Sequence, residues 1–347
     1  MSTTATGADL EIIEVDPHDE PAFAAWYAAY AEAESHGRGR TAATWQPREL
    51  QVMLAEPSIR RVSRAWAGRL DGRTIAAGWT QLPLLDNLER CELSVQVVPA
   101  ARRRGYGTAL LAHLEEVARA EGRPVLGAEA TYDYDAGPDG AGQPGPEFAR
   151  ARGYALVLGD VQRILDLPVP ADLLDRLAAE AAPHHAAYTL RSWVGPVPEE
   201  LLVGWADLTS SLMTEAPMGE LEIERESAST EAVRDAEALQ ALQGRTKFNT
   251  VALDARGEVV AYSDLATTVH EPGRAYQWGT LVRRAHRGHR LGLAVKVANL
   301  RLLQAECPEI DHVVTYNAEV NAHMVGVNEL LGFRPTARLG EFQKRVG

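Results

Sequence analysis

The chain has 347 residues, about twice an ordinary domain, so two domains of roughly 170 residues are the first expectation. A hydrophobic fraction of 46% and a charged fraction of 24% exclude a fibre or wholesale disorder. The balance of 35 basic against 48 acidic residues gives −13, which disfavours nonspecific nucleic-acid binding.

Residues 10–15 (LEIIEV) alternate as a short strand, and Asp16-Pro17 leads into a helical pattern through Phe23, Trp26, Tyr27 and Tyr30. A hairpin follows: 65–70, an Asp71-Gly72 turn, then 74–82. Residues 92–97 form a third strand. An arginine-rich turn then opens a helix from about Thr108 through Leu110, Leu111, Leu114 and Val117, with stop signals at Gly122 and Pro124. The half closes with a strand ending near Tyr132, a glycine/proline loop over 136–148 of the mobile kind, a helix ending in Arg152-Gly153-Tyr154 and a last strand. The stretch 167–188 (LPVPADLLDRLAAEAAPHHAAY) reads as a connector with one short helix.

Near Tyr188 the same order restarts. YTLRSWVG is a strand, and Leu201, Leu202, Trp205 and Leu208 mark a helix. A hairpin spans 250–254, Arg256-Gly257 and 259–266, and 276–282 is the third strand. A helix runs through Leu293, Val297, Leu300 and Leu303 and stops before Pro308; a strand then ends near Tyr316, and a last helix ends at Leu331-Gly332-Phe333. Gly107 and Gly292 lie 185 residues apart, and Gly153 and Gly332 lie 179 apart. Nearly constant offsets across several elements point to a duplicated domain. The expected division is 1–168, a connector at 169–186, and 187–347.

No apolar run reaches the ~18 residues a membrane span needs. The N-terminus has neither the basic start nor the apolar core of a secretory leader. Two cysteines, Cys91 and Cys307, exclude a disulfide framework or a cysteine-rich zinc site and fit a reducing cytosol, so a cytoplasmic protein without a membrane partner is expected. The basic residues comprise three lysines (Lys247, Lys296, Lys344) and 32 arginines, a bias read as bacterial genome composition. His286 and His289 flank the second basic turn and His184-His185 sit in the connector, but no third ligand stands at a recognised spacing, so no metal site is expected.

The most informative segment is VVPAARRRGYGTALL, 97–111. A strand enters Pro99, then Arg102-Arg103-Arg104-Gly105-Tyr106-Gly107, then an amphipathic helix. Free amides at the helix N-terminus, glycines that permit close approach and three guanidiniums all suit a phosphate. Neither a P-loop nor the dinucleotide fingerprint fits the spacing.

The strand, the V-x-P-x-x-R-x-x-G-x-G turn and the helix resemble the acetyl-CoA pyrophosphate loop of the GCN5-related N-acetyltransferases (GNAT superfamily). FARARGY (148–154) and NAHMVGVNELLGF (321–333) resemble that family's second cofactor-side helix. The resemblance covers almost the whole chain twice, as in tandem members of the family. It implies an α/β fold (mixed α+β) of two GNAT-like domains, each a splayed mixed sheet flanked by helices with acetyl-CoA in the gap. The implied cosubstrate contacts in the first copy are Val97, Arg102, Arg103, Arg104, Gly105, Tyr106, Gly107 and Thr108. In the second they are Leu281, Val282, Arg287, Gly288, His289, Arg290, Leu291 and Gly292, with Asn317 and Asn321 on the pantetheine side. The second turn departs from the pattern by placing Arg290 where glycine is expected; a negative φ is expected there, with Gly288 relieving the crowding.

The resemblance also implies an acetyl-CoA-dependent N-acetyltransferase acting on a small-molecule amine by direct transfer in a ternary complex, with the C-terminal copy favoured for catalysis. Many family members carry a proton-donating tyrosine four residues before the terminal Gly-aromatic; Ala149 and Asn328 stand there instead, and Tyr132, Tyr134 and Tyr316 are the alternative donors. Glu92 is the base expected in the first half, whereas Gly279 occupies the corresponding region of the second. Glu215, Glu220, Glu222, Asp264 and His270 are further acidic or basic options there, and Trp45 and Trp278 could line an acceptor pocket. The catalytic set is therefore Glu92, Tyr316 and Asn328. The competing expectation is an acyl-CoA-binding structural or sensing protein with one or both copies inactive. The acceptor's identity and the oligomeric state are left open.

Overall fold

The computed structural model describes residues 10–216 and 219–346; the start of the stretch read above for a leader lies outside them, as do Pro217 and Met218 between the candidate acids Glu215 and Glu220. The chain divides into two compact units. One takes in residues up to Ala130, Glu147–Leu156 and the chain from Glu341; the other takes in Thr131–Pro146 and Val157–Gly340. Three of the four boundaries run through strands and the one at Pro146/Glu147 through a short helix, and 169–186 lies inside the second unit.

The first unit opens with β1 (Glu11–Val15) and α1 (Glu20–Ser35). Asp19 caps α1 by accepting from Ala22 N at 3.1 Å, and the helix buries Phe23, Trp26 and Tyr30. A second helix, α2 (Pro47–Ala55), precedes the hairpin of β2 (Arg61–Leu70) and β3 (Arg73–Pro83). Asp71 and Gly72 both take positive φ, as the tight hairpin turn requires. Then come β4 (Arg90–Val97), α3 (Tyr106–Ala120), β5 (Val125–Asp133) and the short α4 (Pro144–Arg150). The sheet order is β1-β2-β3-β4-β5, antiparallel except for the β4–β5 pair. Cys91 and Leu93 pack against Leu110 and Leu114, and Phe342 from the end of the chain is buried in this same core. Val346 N donates to Pro124 O at 2.8 Å.

In the second unit, β6 (Ala155–Asp166) is followed by α5 (Ala171–Ala181), β7 (Thr189–Val194), α6 (Glu199–Ser210), α7 (Leu212–Glu215) and α8 (Thr230–Leu242). Next come β8 (Arg245–Leu253), β9 (Val259–Thr268), β10 (Arg274–Val282), α9 (Leu291–Glu306), β11 (His312–Ala318), α10 (Ala322–Leu331) and β12 (Arg334–Arg345). The sheet order is β6-β11-β10-β9-β8-β7. One face packs on α9 and α10 through Phe248, Leu265, Val313 and Leu331; the other meets α6 through Val251 and Tyr262.

The strand exchange is the main difference from the reading in chain order. β6 closes the first half in sequence, yet its residues 160–166 pair antiparallel with β11 of the second half. The chain end from Glu341 belongs in turn to the first unit. Both cofactor-side helices also differ in detail: α3 starts at Tyr106, two residues before the expected Thr108. The glycine/proline stretch follows a 3-10 turn (Tyr134–Ala136) and runs into α4, and Tyr132 Oη donates to Pro138 O at 2.7 Å.

Candidate functional site

Beyond β4, a 3-10 turn (Pro99–Ala101) brings the chain to Arg102. Arg102 Nε donates to Val97 O at 2.9 Å, and its Nη2 donates to Ala33 O at 3.0 Å. This guanidinium braces the loop; the exposed Arg103 and Arg104 are the ones left for a phosphate. Arg103 (φ 64) and Gly105 (φ 88) are both left-handed. Among the described residues, nothing accepts a hydrogen bond from the amides of residues 103–108. A helix start with that many free donors is suited to an anion. Tyr106 contributes only its amide, because its ring is 1% exposed. Gly107 leaves the backbone bare at the helix start; a Cβ there would lie 3.4 Å from the Phe148 ring and 3.5 Å from Val97 Cγ2, ordinary contact distances. Arg152 lies over that ring at 5.1 Å and donates to the Thr108 hydroxyl.

The second loop repeats the design 185 residues on. Arg287 Nε donates to Val282 O at 3.3 Å, and its Nη2 reaches Glu215 Oε2 at 2.9 Å. Glu215, an acceptor-pocket candidate, therefore clasps the loop. Gly288 (φ 86) and Arg290 (φ 52) are the left-handed pair. The expected negative φ at Arg290 is corrected: the loop geometry demands the left-handed region, and the arginine takes it while pairing with Glu180. That pair holds the Glu180 carboxyl below the usual range. Nothing among the described residues accepts from the amides of residues 288–293. A Cβ on Gly292 would come no closer than 3.7 Å to Val282 Cγ2, so this helix start is the more open of the two. Leu281 and Leu291 are buried supports, and His289 Nδ1 sits 3.1 Å from His184 O. Tyr188 Oη meets His286 Nδ1 at 3.0 Å.

Each loop stands at the end of a gap. β4 pairs with β5 only over Arg90–Leu93 against Val125–Ala128, and β10 pairs with β11 only over Arg274–Gln277 against His312–Thr315. Past those levels β4 and β10 run on without that partner. The two copies differ on their other edge. The β3–β4 ladder is unbroken from Gln81↔Glu92 to Ala76↔Val97, whereas β10 bulges against β9 between Gln277 and Thr280. Asp264 Oδ1 accepts from Gly279 N at 2.6 Å under that bulge, and Lys247 pairs with Asp264. Lys247 also lies over the Trp278 ring at 4.3 Å, with Arg245 at 5.2 Å.

Glu92 lies in the paired part of β4, bound by Arg90 through Nε at 3.1 Å and Nη2 at 2.5 Å. Its carboxylate occupies the space that Gly127 leaves open on β5. Tyr316 Oη accepts from Gln162 Nε2 at 2.7 Å. Asn321 caps α10 by accepting from Met324 N at 3.3 Å. Asn328 is fully buried and donates to Asn317 Oδ1 at 2.5 Å, while its own Oδ1 is buried with no donor. That orphan acceptor beside the parted end of β11 suits an amide N–H of a pantetheine arm. Together with the free loop amides and the Gly107 and Gly292 cradles, it fits the chain to acetyl-CoA. Glu220, Glu222 and His270 are exposed, as are Trp45 and Trp278 in part.

Two residues escaped sequence reading. Asp160 on β6 is half-buried without a partner, and burial raises it to about 6. Lys296 on α9 is 1% exposed, and burial lowers it to about 7. Its apolar helical context concealed the second, and the pairing of β6 with the distant β11 concealed the first.

The acetyltransferase (GNAT) family model matches residues 23–136. A tandem GNAT protein from the clavulanic acid biosynthesis pathway, solved without AcCoA, is 31% identical over 97% of this chain and 99% of its own, with a TM-score of 0.77. A GCN5-related N-acetyltransferase from Sphaerobacter thermophilus is 14% identical over 99% of this chain and 98% of its own, with a TM-score of 0.65. A glucosamine N-acetyltransferase region of a fungal multi-domain enzyme is 16% identical, covers 99% of this chain and 38% of that one, and also scores 0.65. The last two share the fold. No curated protein sequence matches the chain.

The fold, with its two loop-and-helix starts, is that of an acetyltransferase of the type that uses acetyl-CoA. The chain belongs to the GNAT family as a tandem member. None of its helices, among the described residues, is long and apolar enough to cross a membrane.

Proposed function

We propose that the protein transfers the acetyl group of acetyl-CoA directly to a small-molecule amine in a ternary complex, with the C-terminal copy catalysing. Acetyl-CoA supplies a thioester carbonyl with a thiolate leaving group. The observation that carries this reading is the run of six free amides at the start of α9, at the end of the gap between β10 and β11. Those amides and the helix start bind the pyrophosphate. Asn317, Asn321 and Asn328 orient the pantetheine arm from β11 and α10. The bulge at Trp278-Gly279 turns the β10 backbone toward the thioester end, and the Asp264 carboxylate holds it there.

The first copy supports a second reading, binding without transfer. Its β4 is unbroken, Glu92 is committed to Arg90, and Phe148 and Arg152 flank the start of α3.

The test is CoA-thiol release from acetyl-CoA with a panel of aminoglycoside, amino-sugar, polyamine, peptide-amine and mycothiol-precursor acceptors. Saturable turnover with one class is expected. Saturable acetyl-CoA binding with no turnover across the panel would favour the sensing protein. Gly105→Glu and Gly292→Glu should each remove one of two CoA equivalents in calorimetry, and two sites surviving either change would overturn the loop assignment.

A further inference from the structure

The central strand of the C-terminal copy carries no base, because Gly279 stands where one would sit. β6 supplies a carboxylate from the neighbouring side. The β6–β11 register sets Gln162 opposite Tyr316 and Asp160 opposite Ala318. Gln162 and Tyr316 are hydrogen-bonded side chains on one face of the sheet, and Asp160, two residues away on β6, shares that face. The opposite face is the one α10 covers: Asn317 bonds Asn328, and Leu165 packs in the core with Leu331. Asp160 and Tyr316 thus line the face away from the helices that hold the phosphate and pantetheine.

Asp160 is also unengaged. Among the described residues it has no ion-pair or side-chain hydrogen-bond partner. The charges around it are committed elsewhere. Glu319, at the end of β11, is locked to Arg338 of β12 at 2.8 and 3.1 Å. Arg338 donates to Tyr134 O and lies over the Tyr134 ring at 4.8 Å. Arg163 donates to the Val161 carbonyl at 3.4 Å, and only its field reaches Asp160. A half-buried carboxylate left without a partner beside the parted end of β11 is the arrangement expected of a working group.

We propose that Asp160 is the general base of the C-terminal copy and takes the acceptor amine's proton through water. This rests on the acetyl-transfer reading. As the amine nitrogen attacks the thioester carbonyl, the C–N bond forms and the C–S bond breaks. The amine proton passes through water to the Asp160 carboxylate, and the departing thiolate takes a proton from solvent. Burial raises the carboxyl to about 6, so it is ionised at neutral pH yet basic enough to accept a proton. Activity should therefore rise as pH increases through about 6.

The test uses the full chain, acetyl-CoA and the best amine of the panel. Asp160→Asn should lower kcat about 100-fold, in the range for loss of a general base, leave the KM for acetyl-CoA unchanged and erase the acidic limb of the pH profile. Asp160→Glu should restore part of kcat and return the limb. An aspartate-carboxyl 13C titration should show a resonance with a midpoint near 6 that Asp160→Asn deletes. A midpoint near 4, a variant that keeps its kcat, or a slower variant that keeps the limb would each overturn the assignment. A wild-type protein that turns over no amine would fail at the transfer reading instead, and the assignment would fall with it.

Discussion

The guanidinium of Arg102 donates to the carbonyl of Val97 at 2.9 Å, tying the first phosphate loop back to the strand it leaves. Arg287 and Val282 repeat the contact at 3.3 Å in the second copy. A strand-end carbonyl without a ladder partner needs a donor, and a guanidinium fork can serve two at once. Arg102 does so, reaching Ala33 O as well.

Arg102→Lys should therefore fail to conserve the loop, because an ammonium cannot span both carbonyls. A loss of about 1–3 kcal/mol in urea unfolding is expected, with weaker acetyl-CoA binding at the first site in calorimetry. Arg287→Lys should cost less, its contact being longer and half-exposed. An unchanged Arg102→Lys denaturation curve would remove the brace from the account.

The left-handed residues of the two loops trade places: arginine then glycine in the first, glycine then arginine in the second. Arg290→Gly relieves a strain of about 1–2 kcal/mol and forfeits only a solvent-exposed ion pair with Glu180. Stability within about 1 kcal/mol of wild type and near-wild-type acetyl-CoA affinity at the second site are expected. A tenfold loss of affinity would mean that the Arg290 side chain, not the loop backbone, holds the phosphate.

Lys296 predicts a pH-dependent stability. It makes no ion pair among the described residues, and Phe333 lies 5.5 Å from its ammonium. Burial lowers it to about 7 against the opposing field of Asp264, whereas an unfolded lysine titrates near 10.4. Between those values the unfolded chain holds the extra proton, so this residue's penalty is full below pH 7 and fades as pH rises toward 10. Lys296→Met should raise Tm most at pH 6, with the gain shrinking toward pH 10. A gain independent of pH would show that the amine does not neutralise on folding.

Phe342 is 1% exposed in the core around Leu93, Leu110 and Leu114. Phe342→Ala should cost about 3–5 kcal/mol in chemical denaturation. A fragment ending at residue 168 lacks this side chain and should show no cooperative unfolding; a cooperative transition in it would show that the first half is self-sufficient.

The contiguous features were readable. The Asp71-Gly72 turn, the buried stripe of α1, and the two strand–loop–helix units follow from turn chemistry, periodicity and glycine placement within a few residues of chain. The sheet partners of β6 were not readable, because its largely apolar run suits either half equally. With β6 beside β11, Asp160 became a candidate for the copy that lacked a base. Glu92 moved the other way: it lies on the expected strand, but Arg90, two residues off and on the same face, engages it. Asn328 carried no sign of its orphan acceptor, which exists only because α10 packs on β11.

Length, the 185-residue offset and the loop spacing determined by themselves that one domain type is used twice and that each copy opens a helix from a basic, glycine-bearing loop. Such signals are local, set by backbone preferences that neighbouring residues share. Tertiary structure alone decided which strand completes which sheet and which carboxylates are left unpaired. Those outcomes depend on contacts between residues more than 100 apart, Asp160 with Ala318 and Gln162 with Tyr316 among them, and no local preference encodes them.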